Sequence, residues 1–233
     1  MRSIGFSTGA LAYADFRKAL QILSGTGIEA LELSALREAE LAPLLAALDI
    51  LDLSQFKYIS MHAPSLFSRE SEGHIVESLL PIAQRNWPIV VHPDAIFDPN
   101  PWRALGAALC VENMDKRKPI GRSAEELTHV FDLLPDASFC FDIGHARQFD
   151  STMTEAYLLL TSFRSRLRQV HVSEVNASSK HDVLSYTSIQ AFREVAHLIS
   201  AEIPLILETP TGPESLRAEM ERVQEALPIS AAA

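Results

Sequence analysis

Cations are in short supply in this chain: 20 Lys and Arg stand against 30 Asp and Glu, a formal charge of −10 at neutral pH. That balance argues against a general affinity for nucleic acid or an anionic membrane surface, although a local basic patch survives it. Small-molecule substrates stay open. Cysteine is scarcer still. The two cysteines, Cys110 and Cys140, each sit inside a short apolar run of the kind that forms a buried strand, so they read as reduced core residues. That reading suits the cytoplasm. No apolar run approaches the roughly 20 residues of a membrane span, and the opening stretch Ser3-Ile4-Gly5-Phe6 reaches Asp15 without the core of a secretory leader. With no long low-complexity segment either, the 233 residues, 47% hydrophobic, are expected to form one domain over 1–229 with a frayed tail at 230–233.

The apolar runs that are present end in an unusual way. Phe139-Cys140-Phe141 runs straight into Asp142-Ile143-Gly144-His145, which brings an acid and a histidine to the end of a buried strand, a costly grouping unless something binds them. The same design recurs along the chain. His62 follows Tyr58-Ile59-Ser60-Met61, His92 follows Ile89-Val90-Val91, and Glu112 follows Leu109-Cys110-Val111. His171 lies within Gln169-Val170-His171-Val172, and Glu208 follows Leu205-Ile206-Leu207. By contrast, His74, His129 and His197 fall within helical patterns and read as surface or packing residues.

Between these runs lie helical segments. Strands are expected near 3–6, 28–33, 58–61, 88–91, 108–111, 138–141, 169–172 and 205–207, each followed by a helix. Gly25 and Gly27 stop the first helix, and Pro43 fits a first turn better than a helix middle. Ser123 and Glu126 form a capping-box pattern at the head of another. Eight units in 233 residues give about 29 residues each, close to the minimum for a strand, a helix and two turns. The expected fold is therefore α/β, a single-domain (β/α)8 TIM barrel. A doubly wound open sheet is the alternative, but it would scatter the strand-end residues along an edge, whereas a closed barrel gathers them at one mouth.

These residues resemble those of the xylose-isomerase-like TIM barrels, which include endonuclease IV and the sugar isomerases and epimerases. The resemblance spans nearly the whole chain: His-Ala-Pro at 62, His-Pro at 92, Glu-Asn at 112, Asp-x-Gly-His at 142, His-x-Ser at 171 and Glu-Thr at 208. It implies a central metal site of Glu112, Asp142, His171 and Glu208, and a second site of His62 and His92 bridged by Glu112. A third would take His145 and His181, but Ser179 stands where that pattern has an aspartate, with Asp182 as the possible replacement. One to three divalent ions, zinc or manganese first, are thus expected as cofactors.

Two chemistries fit such a site. In the family's isomerases and epimerases a metal chelates a hydroxy-ketone and a carboxylate moves the proton, roles that fall here to Glu112 and Glu208. In the endonuclease IV arrangement several metals activate a hydroxide against a phosphodiester. The acidic charge and the missing aspartate argue against DNA repair, so a small sugar or sugar phosphate is the expected partner. Glu32, Lys116, Arg122 and Lys180 are the expected substrate contacts, with Lys116, Arg117, Lys118 and Arg122 placed to meet a phosphate. Arg164, Arg166 and Arg168 precede the seventh strand and belong at the opposite face. A non-catalytic metal- or sugar-binding barrel is the third reading. The oligomeric state cannot be read from the sequence.

Overall fold

The computed structural model describes residues 2–229; the tail expected at 230–233 lies outside them. Eight parallel strands close into a barrel: β1 (Ile4–Ser7), β2 (Ala30–Ser34), β3 (Tyr58–His62), β4 (Ile89–Val91), β5 (Leu109–Glu112), β6 (Ser138–Asp142), β7 (Leu167–Val172) and β10 (Leu205–Leu207). Between the last two sits a small antiparallel hairpin of β8 (Glu174–Val175) and β9 (His181–Asp182). The single-domain TIM barrel expected from the strand-helix alternation is the observed fold. Among the described residues no helix is long and apolar enough to cross a membrane.

The strand sequences explain the layering. Alternate residues point out and in, so Ile89, Val91, Leu109, Val111, Phe139 and Phe141 join the large core between barrel and helices. Val90, Cys110 and Cys140, between them in sequence, form a separate small cluster. Both cysteines are free and buried, as their neighbours predicted. The barrel is tight where it closes: a Cβ on Gly5 would lie 1.8 Å from the Ala30 carbonyl oxygen of the adjacent strand. The seam joins β1 to β10, with Ile4 opposite Leu205 and Phe6 opposite Leu207. Beneath it the Arg2 guanidinium donates to the carbonyls of Leu227 (2.9 Å) and Ile199 (2.8 Å), tying the first strand to the end of the chain.

Three local expectations change. Pro43 lies inside α3 (Glu38–Ala47), where the helix forgoes an internal hydrogen bond. The capping box at α6 (Ala124–Leu133) is half formed. The Ser123 hydroxyl accepts from Glu126 N–H (3.2 Å), but the Glu126 carboxylate takes Arg122 N–H (2.8 Å) and the Arg122 guanidinium instead of reaching Ser123. A helix at the site, α7 (Ile143–Phe149), also begins directly at the end of β6.

Candidate metal centre

Parallel register makes the site. Asp142 pairs with His171 across β6 and β7, and Ser34 with His62 across β2 and β3, so donors far apart in sequence converge at the C-terminal mouth. Three groups form there, each with its donor atoms within 4.8 Å of one another: Glu112, Asp142, His171 and Glu208; His62, His92 and Glu112; and Asp142, His145 and His181. All eight residues expected as metal ligands are thus brought together. The third group takes its carboxylate from Asp142. Asp182 does not replace the missing aspartate: it is exposed and accepts its neighbour's Val183 N–H (2.9 Å).

The motif Asp-x-Gly-His has a local cause. Asp142 caps α7 by accepting His145 N–H (2.6 Å), which turns the chain so that both side chains face the mouth. Gly144 lets that turn press on the next segment, since a Cβ there would lie 2.4 Å from the Ser173 carbonyl oxygen. Asn113, next to Glu112, holds β6 in place by accepting Asp142 N–H (2.8 Å) and donating to its carbonyl (2.8 Å).

Distances among the donors fit a shared ion. Two ligands each about 2.0–2.2 Å from a tetrahedral ion lie about 3.3–3.6 Å apart. His62 Nε2 and His92 Nε2 stand 3.4 and 3.3 Å from Glu112 Oε2. His171 Nδ1 stands 3.3 Å from Glu112 Oε1 and 3.5 Å from Glu208 Oε2, whereas His145 Nδ1 donates to the Asn113 carbonyl (3.0 Å) beside Asp142 Oδ2 (3.4 Å). Glu112 Oε2, Asp142 Oδ2 and His92 Nδ1 are buried without a hydrogen-bond partner. Buried acceptors left open in this way are what an ion would satisfy.

Electrostatics separate the histidines. Burial lowers every imidazole pKa here, but the carboxylates Glu112 and Glu32 beside His62 outweigh it and lift that ring to about 9, and Asp142 and Glu112 lift His145 to about 10. His92 and His181 have weaker anionic company, and burial takes both down to about 4. Burial would also raise Glu112, yet His171, His145 and His62 around it hold it well below the usual range. Burial dominates at Asp142, raised to about 6, and at Glu208, which is raised as well.

The expected substrate contacts need correction. Glu32 is fully buried and does not line the cavity; its Oε2 accepts from Ser60 (3.0 Å) and Gln169 (2.7 Å) and meets His171 Nε2 at 3.0 Å. It orients His171 from below, keeping the Nε2 proton and turning Nδ1 to the cluster. Lys116 and Arg122 lie off the cavity, Arg122 being held by Glu126. Arg117 and Lys118, the other two loop cations placed to meet a phosphate, do line it, each paired, with Asp115 (3.4 Å) and Asp94 (2.8 Å). Lys180 lines it. Arg166, bonded to the carbonyls of Pro135 and Ala137 ahead of β6, is at the opposite face as predicted. His74, His129 and His197 are exposed on helices.

Asp115 is a site residue the sequence reading missed. It lines the cavity, and its Oδ1 accepts from Ser179 Oγ (2.9 Å) and Arg117 N–H (2.8 Å), so Ser179 links the loops after β5 and β7. Its signal was only a polar residue in a basic loop. The cavity as a whole measures about 530 Å³.

No family model matches the sequence, and no curated protein does. Solved structures match. A xylose isomerase domain protein from Alicyclobacillus acidocaldarius is 13% identical, with a TM-score of 0.69 over 97% of this chain and 98% of the other. An L-ribulose 3-epimerase is 11% identical, TM-score 0.55, over 97% and 92%. The protein SacUVDE is 14% identical, TM-score 0.54, over 97% and 99%. The chain therefore shares the (β/α)8 barrel fold of these solved structures, with strand-end donors that could hold a metal.

Proposed function

We propose that this protein is a metal-dependent isomerase or epimerase of a small sugar or sugar phosphate. The observation that carries the reading is the pair Glu112 and Glu208 on either side of His171 Nδ1, at 3.3 and 3.5 Å, in a cavity whose arginine and one of whose lysines are already paired with acids. Such a mouth suits a small polar ligand better than a phosphodiester backbone, which needs free cations along a groove. Glu112, Asp142, His171 and Glu208 would hold the central ion, and the nitrogen and oxygen donors suit zinc or manganese. A bound divalent ion supplies Lewis acidity to the adjacent oxygens of a hydroxy-ketone, acidifying the C–H between them.

Within that frame Glu208 is the base. Its raised pKa makes its carboxylate a better proton acceptor than an ordinary glutamate, and it lies at the cavity wall. Glu112, held ionised by its histidines, anchors the ion and faces the opposite side of the substrate. His181, whose Nδ1 shares a 2.7 Å hydrogen bond with Ser173 Oγ, offers a neutral imidazole to a substrate hydroxyl.

A second reading rests on the two further groups, His62–His92–Glu112 and Asp142–His145–His181, which suit a two- or three-metal hydrolase of small phosphate esters. Metal content per chain, measured on wild type and on His62→Ala/His92→Ala, separates them. One ion, unchanged by the double substitution, with turnover of ketopentoses or ketohexoses, is the expected result. Two or more ions, one lost with the histidines, together with phosphatase activity and no sugar turnover, would replace it with the hydrolase.

A further inference from the structure

The cavity has two unlike sides. Loops after β10, β1 and β2, adjacent in the barrel, contribute Gly9, Ala10, Tyr13, Leu36 and Pro210, whereas the loops after β5 and β7 contribute Arg117, Lys118 and Lys180. Tyr13 is the large side chain of the apolar side, and it is 76% exposed. Its backbone is strained. At φ 54° and ψ −123° it occupies the first central position of a type II′ turn, closed by Asp15 N–H on the Ala12 carbonyl (3.0 Å). Glycine dominates that position because a Cβ crowds it. An exposed ring recovers little packing in return, and strain held on a cavity-lining side chain without internal compensation is a mark of ligand contact.

We infer that Tyr13 is a specificity-determining residue whose ring stacks on a second ring at the far end of the substrate, so that the preferred substrates are keto-sugars bearing a glycosyl substituent. This rests on the sugar reading above and deepens it. A cavity of about 530 Å³ falls within the range of about 300–1,000 Å³ that encloses drug-sized ligands, which leaves room beyond a single five- or six-carbon chain. The apolar C–H face of a sugar ring meets an aromatic face, while Lys180 across the mouth remains for its hydroxyls.

The test compares the binding of D-fructose and of lactulose, a galactosyl ketose, to metal-loaded protein by calorimetry. Wild type is expected to bind lactulose about 3- to 10-fold more tightly than fructose, Tyr13→Phe to keep that margin and Tyr13→Ala to lose it. Without sugar, Tyr13→Gly is expected to raise the melting temperature by about 2–5 °C as the turn relaxes. A margin that persists in Tyr13→Ala, or a Tyr13→Gly protein that melts lower than wild type, overturns the inference and leaves the sugar reading standing. Wild type that binds neither sugar overturns the sugar reading and this inference with it.

Discussion

Two pairs of buried carboxylates in this barrel have opposite surroundings. Glu72, at the start of α4 (Glu72–Gln84), accepts from Phe97 N–H (2.7 Å), Asp98 N–H (3.0 Å) and Trp102 Nε1 (2.8 Å), and Glu219 accepts from Leu184 N–H (2.9 Å), Thr209 Oγ1 (3.0 Å) and Arg222 (2.7 Å). Every oxygen is used, and each carboxylate holds a neighbouring segment by its backbone N–H groups, 97–98 for Glu72 and 184 for Glu219. Glu112 and Asp142 are as deeply buried, yet each keeps one oxygen without a hydrogen bond, with imidazoles at 3.3–3.4 Å. The first pair is complete within the chain; the second is complete only with something added. Burial alone does not separate these two pairs, and the open oxygens facing imidazoles do.

The sharpest way to break this contrast is to swap the outcomes. Glu112→Gln is expected to cut metal content and turnover by about 10³-fold while the fold holds. Glu72→Ala is expected to leave the metal in place but cost about 3–5 kcal/mol of stability by stranding three buried donors, read as a drop in denaturant midpoint. A Glu72→Ala protein as stable as wild type would void the distinction. A finer test is Glu32→Gln, which touches no substrate and is expected to weaken metal affinity about 10- to 100-fold by loosening His171, measured by competition with a chromogenic chelator.

The smallest effect is in protons. In the metal-free protein His62 and His145 titrate near 9 and 10, above their unfolded value of 6.5. Their stabilising contribution is full below that unfolded value and lost as pH rises through 9 to 10. His171 is raised well above that value as well. Ligation needs neutral imidazoles, so ions filling all three groups are expected to release about three protons per chain at pH 7, from His62, His145 and His171, counted by calorimetry in buffers of different ionisation enthalpy. An ion confined to the central group releases fewer.

How far the sequence carried is clear from particular residues. His62, His92, Glu112, Asp142, His171 and Glu208 were legible because each ends an apolar strand, and a closed parallel sheet sends all such ends to one mouth. Glu32 was misread, since its strand position gives no sign of whether it rises into the cavity or lies under it; that depends on where Ser60, Gln169 and His171 fall in register. Of the four loop cations, Arg117 and Lys118 reach the cavity and Lys116 and Arg122 do not; a loop has no period to tell them apart, and its turn is set by Asp115 accepting Arg117 N–H. The hairpin carrying Lys180 and His181 depends on pairing Val175 with His181, which short polar segments do not announce.

The seam between β1 and β10 sets the order in which this molecule can be made. Ile4 leaves the ribosome about 200 residues before its partner Leu205, so the first strand has one edge unsatisfied through nearly all of synthesis. Glu208 arrives with that last strand. The ion-binding group is therefore finished only when the cylinder shuts, and a metal that prefers the finished group would act as a latch on that closure.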